Sequence, residues 1–298
     1  NPVSDLRVAL AFDVARRRIL SGELRLAKAD AGTRASVDLG GPLASILPER
    51  MRDFFGLESR IDAEALFADD GSITLDSLDL DSGAIAMKAN ARQLADGFLS
   101  ALQLDLALTP QSRNKVFLPT PDVETSLSAG RLLLNYDADK NNSWNGQLSV
   151  ENLERAGIEV DAVTLTSNGT VTSIDSPANR AVTFNLDGKL DGFEAQDPAL
   201  NEAVGRSLSL VGGGEWKSGE PLVLNRFQIL GETFKLVSTG EFAEFAFNGS
   251  IELIADRLAA FSSLAKRKLR GRTSLRADGK IQPVSGAFDL RLNGTTSG

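Results

Sequence analysis

The chain of 298 residues contains no cysteine and no histidine, which removes disulfides, thiolate chemistry, most structural zinc sites and the usual proton carrier near neutral pH. Its net charge of −8, with both signs interspersed, argues against a nucleic-acid binder. At 42% hydrophobic it can bury a substantial core, and its length suits one large all-β domain or two smaller ones. No run of about 18 apolar residues is present, so no membrane-spanning helix is expected. Residues 1–10 lack the basic-then-apolar order of a signal peptide and read as cut within a strand pattern, so a piece of a longer protein is expected.

The first element is a strand with Leu6, Val8, Leu10, Phe12 and Val14 on one face and Arg7 and Asp13 on the other. Arg16-Arg17-Arg18 follows as a charged turn. Pro48 then opens a short helix over 49–55, closed by Gly56, because proline suits the first helical position and glycine the residue past the last. A long strand over 57–67 leads to Ile73-x-Leu75-x-x-Leu78-x-Leu80. This spelling alternates with period two but carries one extra residue in its middle. The phase is lost there unless a bulge or turn resets it. Ile85 and Met87 begin a further strand, and alternation resumes at 102–108.

The same layout recurs. Pro121 predicts a helix over 122–129 before Gly130 and a strand over 131–137. Ile158-x-Val160-x-x-Val163-x-Leu165 repeats the phase-shifted spelling, and alternation continues at 182–186. Asp197-Pro198 opens a helix over 199–204, followed by Gly205 and a strand over 206–216. Leu222-x-Leu224-x-x-Phe227-x-Ile229 is the third copy, followed by Phe234 and Leu236. A fourth helix is expected between Asp256 and Gly271, then strands over 272–280 and 288–292, although Pro283 stands where a phase-shifted strand would run. Asp70-Gly71, Asn145-Gly146, Asn168-Gly169, Asp187-Gly188, Asn248-Gly249 and Asp278-Gly279 all read as tight hairpin turns, so antiparallel neighbours are expected. The repeat is a short helix, a glycine, a long strand, a turn and a phase-shifted strand. Approximate units are 1–55, 56–129, 130–204, 205–270 and a partial 271–298, within one continuous array.

No catalytic constellation emerges: there is no nucleophile elbow, no histidine base for any serine, and no carboxylate pair that stands out. A non-enzymatic protein without cofactor is expected. Asp137-x-Asp139-x-Asn141 opens like a calcium loop, but Asn142 and Leu148 occupy the places that need a glycine and a bidentate carboxylate. Gly212-Gly213-Gly214 lacks the Lys-Ser/Thr of a phosphate loop and reads as a bulge or close backbone approach in a strand. Lys266-Arg267-Lys268 with Arg270 reads as a solvated helix end.

The apolar strand faces are the functional candidates. They form either the core of a sandwich or solenoid, or an open groove for an acyl chain or apolar peptide, and alternation alone fits both. A lipid-embedded barrel fits poorly, because such barrels carry aromatic girdles and this chain has one tyrosine and two tryptophans. The candidate groove lining is Leu6, Val8, Leu10 and Phe12; Ile73, Leu75, Leu78 and Leu80; Ile158, Val160, Val163 and Leu165; and Leu222, Leu224, Phe227, Ile229, Phe234 and Leu236.

Two stretches carry a family resemblance. One runs from Asp197-Pro198-Ala199-Leu200 through Gly205 and 208–216 to Pro221-Leu222-Val223-Leu224 and 227–231. The other runs from Ala255-Asp256-Arg257-Leu258 through Gly271 and Ala277-Asp278-Gly279 to Gly286-Ala287-Phe288-Asp289-Leu290 and Gly294. In style and repeat layout the chain resembles the TamB family (translocation and assembly module) of the AsmA-like superfamily, and the likeness extends over most of its length. The resemblance implies a mainly β fold: an elongated, curled, taco-like β-sheet built from repeating units with short helices between them. It further implies a parent anchored in the inner membrane and spanning the periplasm, with a TamA-like outer-membrane barrel as partner. The attached roles in outer-membrane biogenesis are lipid transport, conducting phospholipid acyl chains along a hydrophobic groove, and assembly of outer-membrane β-barrel proteins.

Overall fold

The computed structural model describes residues 5–48, 52, 54–56, 58–110, 114–120, 123–282 and 286–297. The fold is mainly β, antiparallel throughout, and divides into two compact units, Asn1–Ala156 and Gly157–Gly298.

The first unit contains β1 (Asp5–Val14), β2 (Arg17–Ala29), β3 (Gly32–Gly41), β4 (Ser59–Ala68), β5 (Ile73–Ser82), β6 (Ile85–Gln93), β7 (Leu99–Leu108), the short β8 (Val116–Phe117) and β9 (Thr125–Leu127), β10 (Ala129–Asp137) and β11 (Ser143–Arg155). Strands β1 to β7 pair in chain order, β7 then pairs with β10, and β10 with β11. The second unit contains β12 (Ile158–Thr172), β13 (Ala181–Asp191), β14 (Glu194–Ala195), α1 (Pro198–Val204), β15 (Ser207–Lys217), β16 (Leu222–Leu230), β17 (Phe234–Ala243), β18 (Ala246–Ala255), β19 (Arg272–Gln282) and β20 (Ala287–Ser297). Its ladder runs β12-β13-β15-β16-β17-β18-β19-β20, with β14 beside the start of β12. Among the described residues β1 pairs only with β2 and β20 only with β19, so neither ladder closes into a barrel.

The phase resets have a structural cause. In β5 the register slips between Leu75 and Leu78, where Leu75 faces Ala91 and Leu78 faces Ala89. Asp76 and Ser77 together oppose one residue, which is a β-bulge, and all four apolar residues keep to one face. Strand β16 does the same at Asn225 and Arg226. The third copy works differently. Ile158 pairs with β14, pairing resumes at Ala162 with β13, and the break at Val160-Asp161 lies opposite the gap between those two partners.

Of the six Asn-Gly and Asp-Gly pairs expected to be turns, only Asp70-Gly71 is one. Gly71, with φ +88°, turns β4 into β5, and its neighbour Asp70 accepts from the Ser72 amide at 2.8 Å. Gly146, Gly169, Gly188, Gly249 and Gly279 lie inside strands, on the apolar face. The pair fits alternation with the polar residue outward and glycine inward, where it leaves room for a ring or a close strand. The ring of Phe184 lies where a Cβ on Gly214 would sit, 2.6 Å from it, and Phe227 approaches a Cβ on Gly212 to 3.1 Å. The Gly212–Gly214 run is thus a bed for aromatic rings next to the bulge. Two of the real hairpin turns, Ala15-Arg16 and Glu244-Phe245, hold non-glycine residues at positive φ.

The helix at Pro198 forms as its sequence predicts: the Asp197 carboxylate accepts from the Ala199 amide at 2.9 Å, and Gly205 ends the helix at φ +80°. The expected helix over 49–55 lies partly outside the described residues; Arg52, Phe54 and Phe55 are helical, and Gly56 donates to the Arg52 carbonyl at 2.7 Å. The helix expected over 122–129 is absent where it is described. Residues 125–127 are β9, and Ala129-Gly130 already belong to β10, because pairing with β11 and β7 outweighs the local proline and glycine signals. Its first residues, 121–122, lie outside the described residues, as does Pro283. The fourth helix shrinks to a 3-10 turn over Leu258–Phe261.

In an antiparallel ladder the connections alternate between two rims. In the first unit the long connections, 42–58 and 109–128, share one rim, and the other rim holds short turns. Phe54, Ala84, Val116 and Leu127 form a buried cluster on that long-loop rim. The Ser59 and Ser82 hydroxyls lie 2.6 Å apart and both within reach of the Phe55 carbonyl, so one donates to the other and the other donates to the carbonyl, pinning the helical turn to the strand ends. In the second unit α1 and the turn over Leu258–Phe261 lie on one rim, where Phe193, Ala195, Ala203, Ala255 and Ala260 are buried. Much of the fully buried core lies along these rims rather than in mid-sheet.

Candidate functional site

Residues directly opposite each other on paired strands share a face, so the registers assemble each unit's apolar face row by row. In the first unit one row reads Leu6, Leu26, Ala35, Ala65, Leu75, Ala91, Leu102, Tyr136 and Trp144. The next reads Val8, Leu24, Val37, Ala63, Leu78, Ala89, Leu104, Leu134 and Gly146, and then Leu10, Gly22, Leu39, Ile61, Leu80, Met87, Leu106, Leu132 and Leu148. In the second unit Val163, Leu190 and Leu208 form a row, as do Leu165, Gly188, Leu210, Ile229, Leu236, Leu253, Leu275 and Gly294. Phe184, Gly214, Leu224, Gly240, Gly249, Gly279 and Leu290 form another.

The substantial strand–strand contacts within each unit are all between ladder neighbours, so no second sheet lies over these faces among the described residues. The side chains are accordingly half-buried. Ile73, Leu75, Leu78 and Leu80 are all intermediate in exposure, while Asp76, Ser77, Asp79 and Asp81 on the reverse are exposed; β16 shows the same for Leu222, Leu224, Phe227 and Ile229 against Asn225 and Arg226. Shielding without a covering layer is what a sheet curled toward its apolar side produces, as neighbouring side chains converge.

The sequence-predicted lining is distributed over both units. Leu6, Val8, Leu10, Phe12, Ile73, Leu75, Leu78 and Leu80 lie on the first unit's face, with Leu6 and Phe12 exposed at its edge strand. Val163, Leu165, Leu222, Leu224, Phe227, Ile229, Phe234 and Leu236 are half-buried in the second unit. Val160, at 4% exposure, belongs to the packed core beside β14, and Ile158 pairs there with Ala195. Sequence reasoning missed the contributions of β2, β3, β4, β6, β10, β13, β15 and β18. Alanine and glycine at inward positions interrupt their apolar alternation, and only the register shows that Ala35, Ala63, Ala65 and Gly188 share the face.

The reverse face carries the charge. Arg25 pairs with Asp5 at 2.9 Å, Arg34 with Asp76 at 2.8 Å, Arg131 with Asp105 at 2.9 Å and Arg60 with Asp62 at 2.7 Å. Hydrogen bonds from these arginines hold Asp5, and likewise Arg276 holds Asp278, below the usual carboxylate range. At the loop resembling a calcium site, Lys140 donates to Asp137 at 3.1 Å and lowers its pKa, while Arg92 pairs with Asp139 at 2.7 Å. Both carboxylates already have cationic partners, so the loop is a neutralised turn. Among the described residues no cluster of carboxylates is arranged to hold a metal. Both bulges leave shallow hollows, lined by Asp76, Lys88 and Gln103 with Leu78 and Leu104 in one unit, and by Asn185, Glu215 and Arg226 with Phe184 and Val211 in the other.

No helix among the described residues is long and apolar enough to cross a membrane. No protein-family model, curated protein or solved structure matches the chain.

Proposed function

We propose that this chain is a segment of a TamB-like, periplasm-spanning bridge whose apolar β-faces carry phospholipid acyl chains between the inner and outer membranes. The carrying observation is the long apolar face in each unit, with no second sheet over it among the described residues. Each acyl methylene transferred from water to such a face contributes about 0.8 kcal/mol when fully buried, so even partial burial of a chain of ordinary length gives usable, reversible binding. The polar reverse face, laced with ion pairs, keeps the other side of the sheet in water. Inner-membrane anchoring of the parent and a TamA-like outer-membrane partner belong to the same proposal and rest on the sequence resemblance.

The test is lipid capture. Purified protein incubated with phospholipid vesicles is expected to retain lipid in native mass spectrometry and to crosslink photoactivatable acyl chains at Leu224 and Phe227. Leu224→Asp or Phe227→Asp places a carboxylate on the half-buried face. Either is expected to lower capture about tenfold, the effect of roughly 1.4 kcal/mol, with the circular dichroism spectrum unchanged. A wild-type protein that retains no lipid refutes the proposal.

A further inference from the structure

Among the described residues β20 pairs only with β19, over Arg272–Gln282 and Ala287–Ser297, with no shift of register. Its far side is therefore a free row of backbone donors and acceptors, open to a strand of another chain. Sheets ordinarily blunt such an edge with a bulge, a proline or an inward charge. Strand β20 has none of these, and its inward side chains include Phe288 at 75% exposure, Leu290 and Leu292 at 74%. By contrast β1, an edge strand of the first unit, is blunted. Its register slips between Phe12 and Asp13, and its carboxylates Asp5 and Asp13 are held by Arg25 and Arg18.

The polar side of β20 carries Asp289 and Arg291, which stand opposite Lys280 and Asp278 of β19. When two β20 strands pair antiparallel about a two-fold axis through Leu290, Phe288 faces Leu292 of the second copy, Asp289 faces its Arg291, and Leu290 faces its own counterpart. Each of the first two contacts occurs twice, as a two-fold interface requires. The two most exposed inward side chains of the strand thus cover each other. Across the junction the charges read Lys280, Asp289, Arg291 and Asp278 in line, alternating in sign over four strands. Other registers that keep each side chain on its face lose this match. A centre at Asp289 or at Arg291 sets that charge against itself, which is destabilising. A centre at Leu292 faces Phe288 with Thr296 and Leu290 with Gly294, and leaves both charges unanswered. We propose that β20 is a self-complementary interface at which two copies of this chain join edge to edge about Leu290. Inward residues pair with inward residues, so the apolar faces of both second units lie on one side of a continuous sheet. The interface stands independently of what that face carries, and so goes beyond the acyl-chain reading without resting on it.

The experiment uses the whole chain, which contains no cysteine. Sedimentation equilibrium is expected to find a species of twice 31.7 kDa in equilibrium with monomer. Leu290→Cys sets two thiols opposite each other within disulfide reach of paired strands, and mild oxidation is expected to trap the dimer. Thiols from Leu292→Cys would lie about 14 Å apart and are expected to stay free. Arg291→Asp is expected to weaken dimerisation about tenfold by setting acid against acid, and Asp289→Arg to do the same with base against base. Mixing these two variants restores unlike charges at every facing position and is expected to recover the dimer as a mixed pair, a rescue that a merely misfolded edge would not show. A wild type that stays monomeric at its highest soluble concentration overturns the proposal. So does trapping through Leu292→Cys in place of Leu290→Cys, or a mixture that stays monomeric. Lipid capture by a strictly monomeric chain overturns this inference and leaves the acyl-chain reading standing, whereas a dimer that captures no lipid does the reverse.

Discussion

Gly249 sits in mid-strand on the apolar face, where sequence alone reads a hairpin turn. A Cβ there would lie 2.2 Å from the Thr239 carbonyl oxygen, 2.7 Å from the Gly240 Cα and 2.8 Å from the Phe247 ring. Two of those three atoms are backbone, so the β17–β18 ladder itself must shift to admit a methyl group. Overpacking of this kind costs about 1–3 kcal/mol, and alanine returns about 0.5–1 kcal/mol by restricting the unfolded chain. Gly249→Ala is therefore expected to destabilise the second unit by about 1–2 kcal/mol. Gly213→Ala is the control. It lies on the polar face of the same unit, and its Cβ would meet the Asn185 side-chain oxygen at 3.2 Å and the Phe184 carbonyl at 3.3 Å. The asparagine can rotate away, so the net change is expected within about 0.5 kcal/mol of zero. Urea unfolding followed by tryptophan fluorescence in a Trp144→Phe background isolates Trp216, which lies in β15 of the second unit. The reasoning is refuted if Gly249→Ala unfolds at the same urea concentration as its parent, or if Gly213→Ala is the more damaging change.

Further outcomes follow from other particular contacts. Replacing Glu244-Phe245, both at positive φ with Phe245 74% exposed, by Asn-Gly is expected to raise stability by about 1 kcal/mol, read as a higher urea midpoint. Ser82→Ala removes one hydroxyl from the buried pair beneath the Phe55 carbonyl and is expected to cost about 1–2 kcal/mol; because Ser59 shares that carbonyl, the double variant with Ser59→Ala should cost less than the sum. Hydrogen bonds from the Ser72 hydroxyl and amide depress the Asp70 pKa, so the contribution of this turn is present above the ordinary aspartate value and is lost as pH falls through the lowered folded one. Ser72→Ala should move the Asp70 carboxyl resonance titration upward in NMR, and an unchanged midpoint would contradict the assignment.

The legible part of the fold was the period of two. Strands β1, β5, β7, β16, β17 and β20 alternate openly, and the bulge inferred from the apolar spelling of β5 and β16 lies where the extra residue stands. The helix after Asp197 was equally legible, because cap, proline and glycine act within one turn of chain. Residues 125–130 were misread for the complementary reason: their local signals favour a helix, and distant partners in β11 and β7 make them strand. The Asn-Gly pairs misled in the same way, since a glycine that accepts a turn also admits a close strand or a ring, and only its cross-strand neighbour distinguishes the two.

By itself, then, the sequence determined that each strand has an apolar and a polar side, and where the phase must be reset to keep them apart, because side-chain direction alternates with every residue. The tertiary structure decided what no local period contains. It placed the long connections of the first unit on one rim, drew scattered alanines and glycines into the same apolar rows as the leucines, and set no second sheet over those rows among the described residues. Covering a face depends on contacts between residues far apart in the chain, and an open trough and a closed core are written in the same alternating pattern.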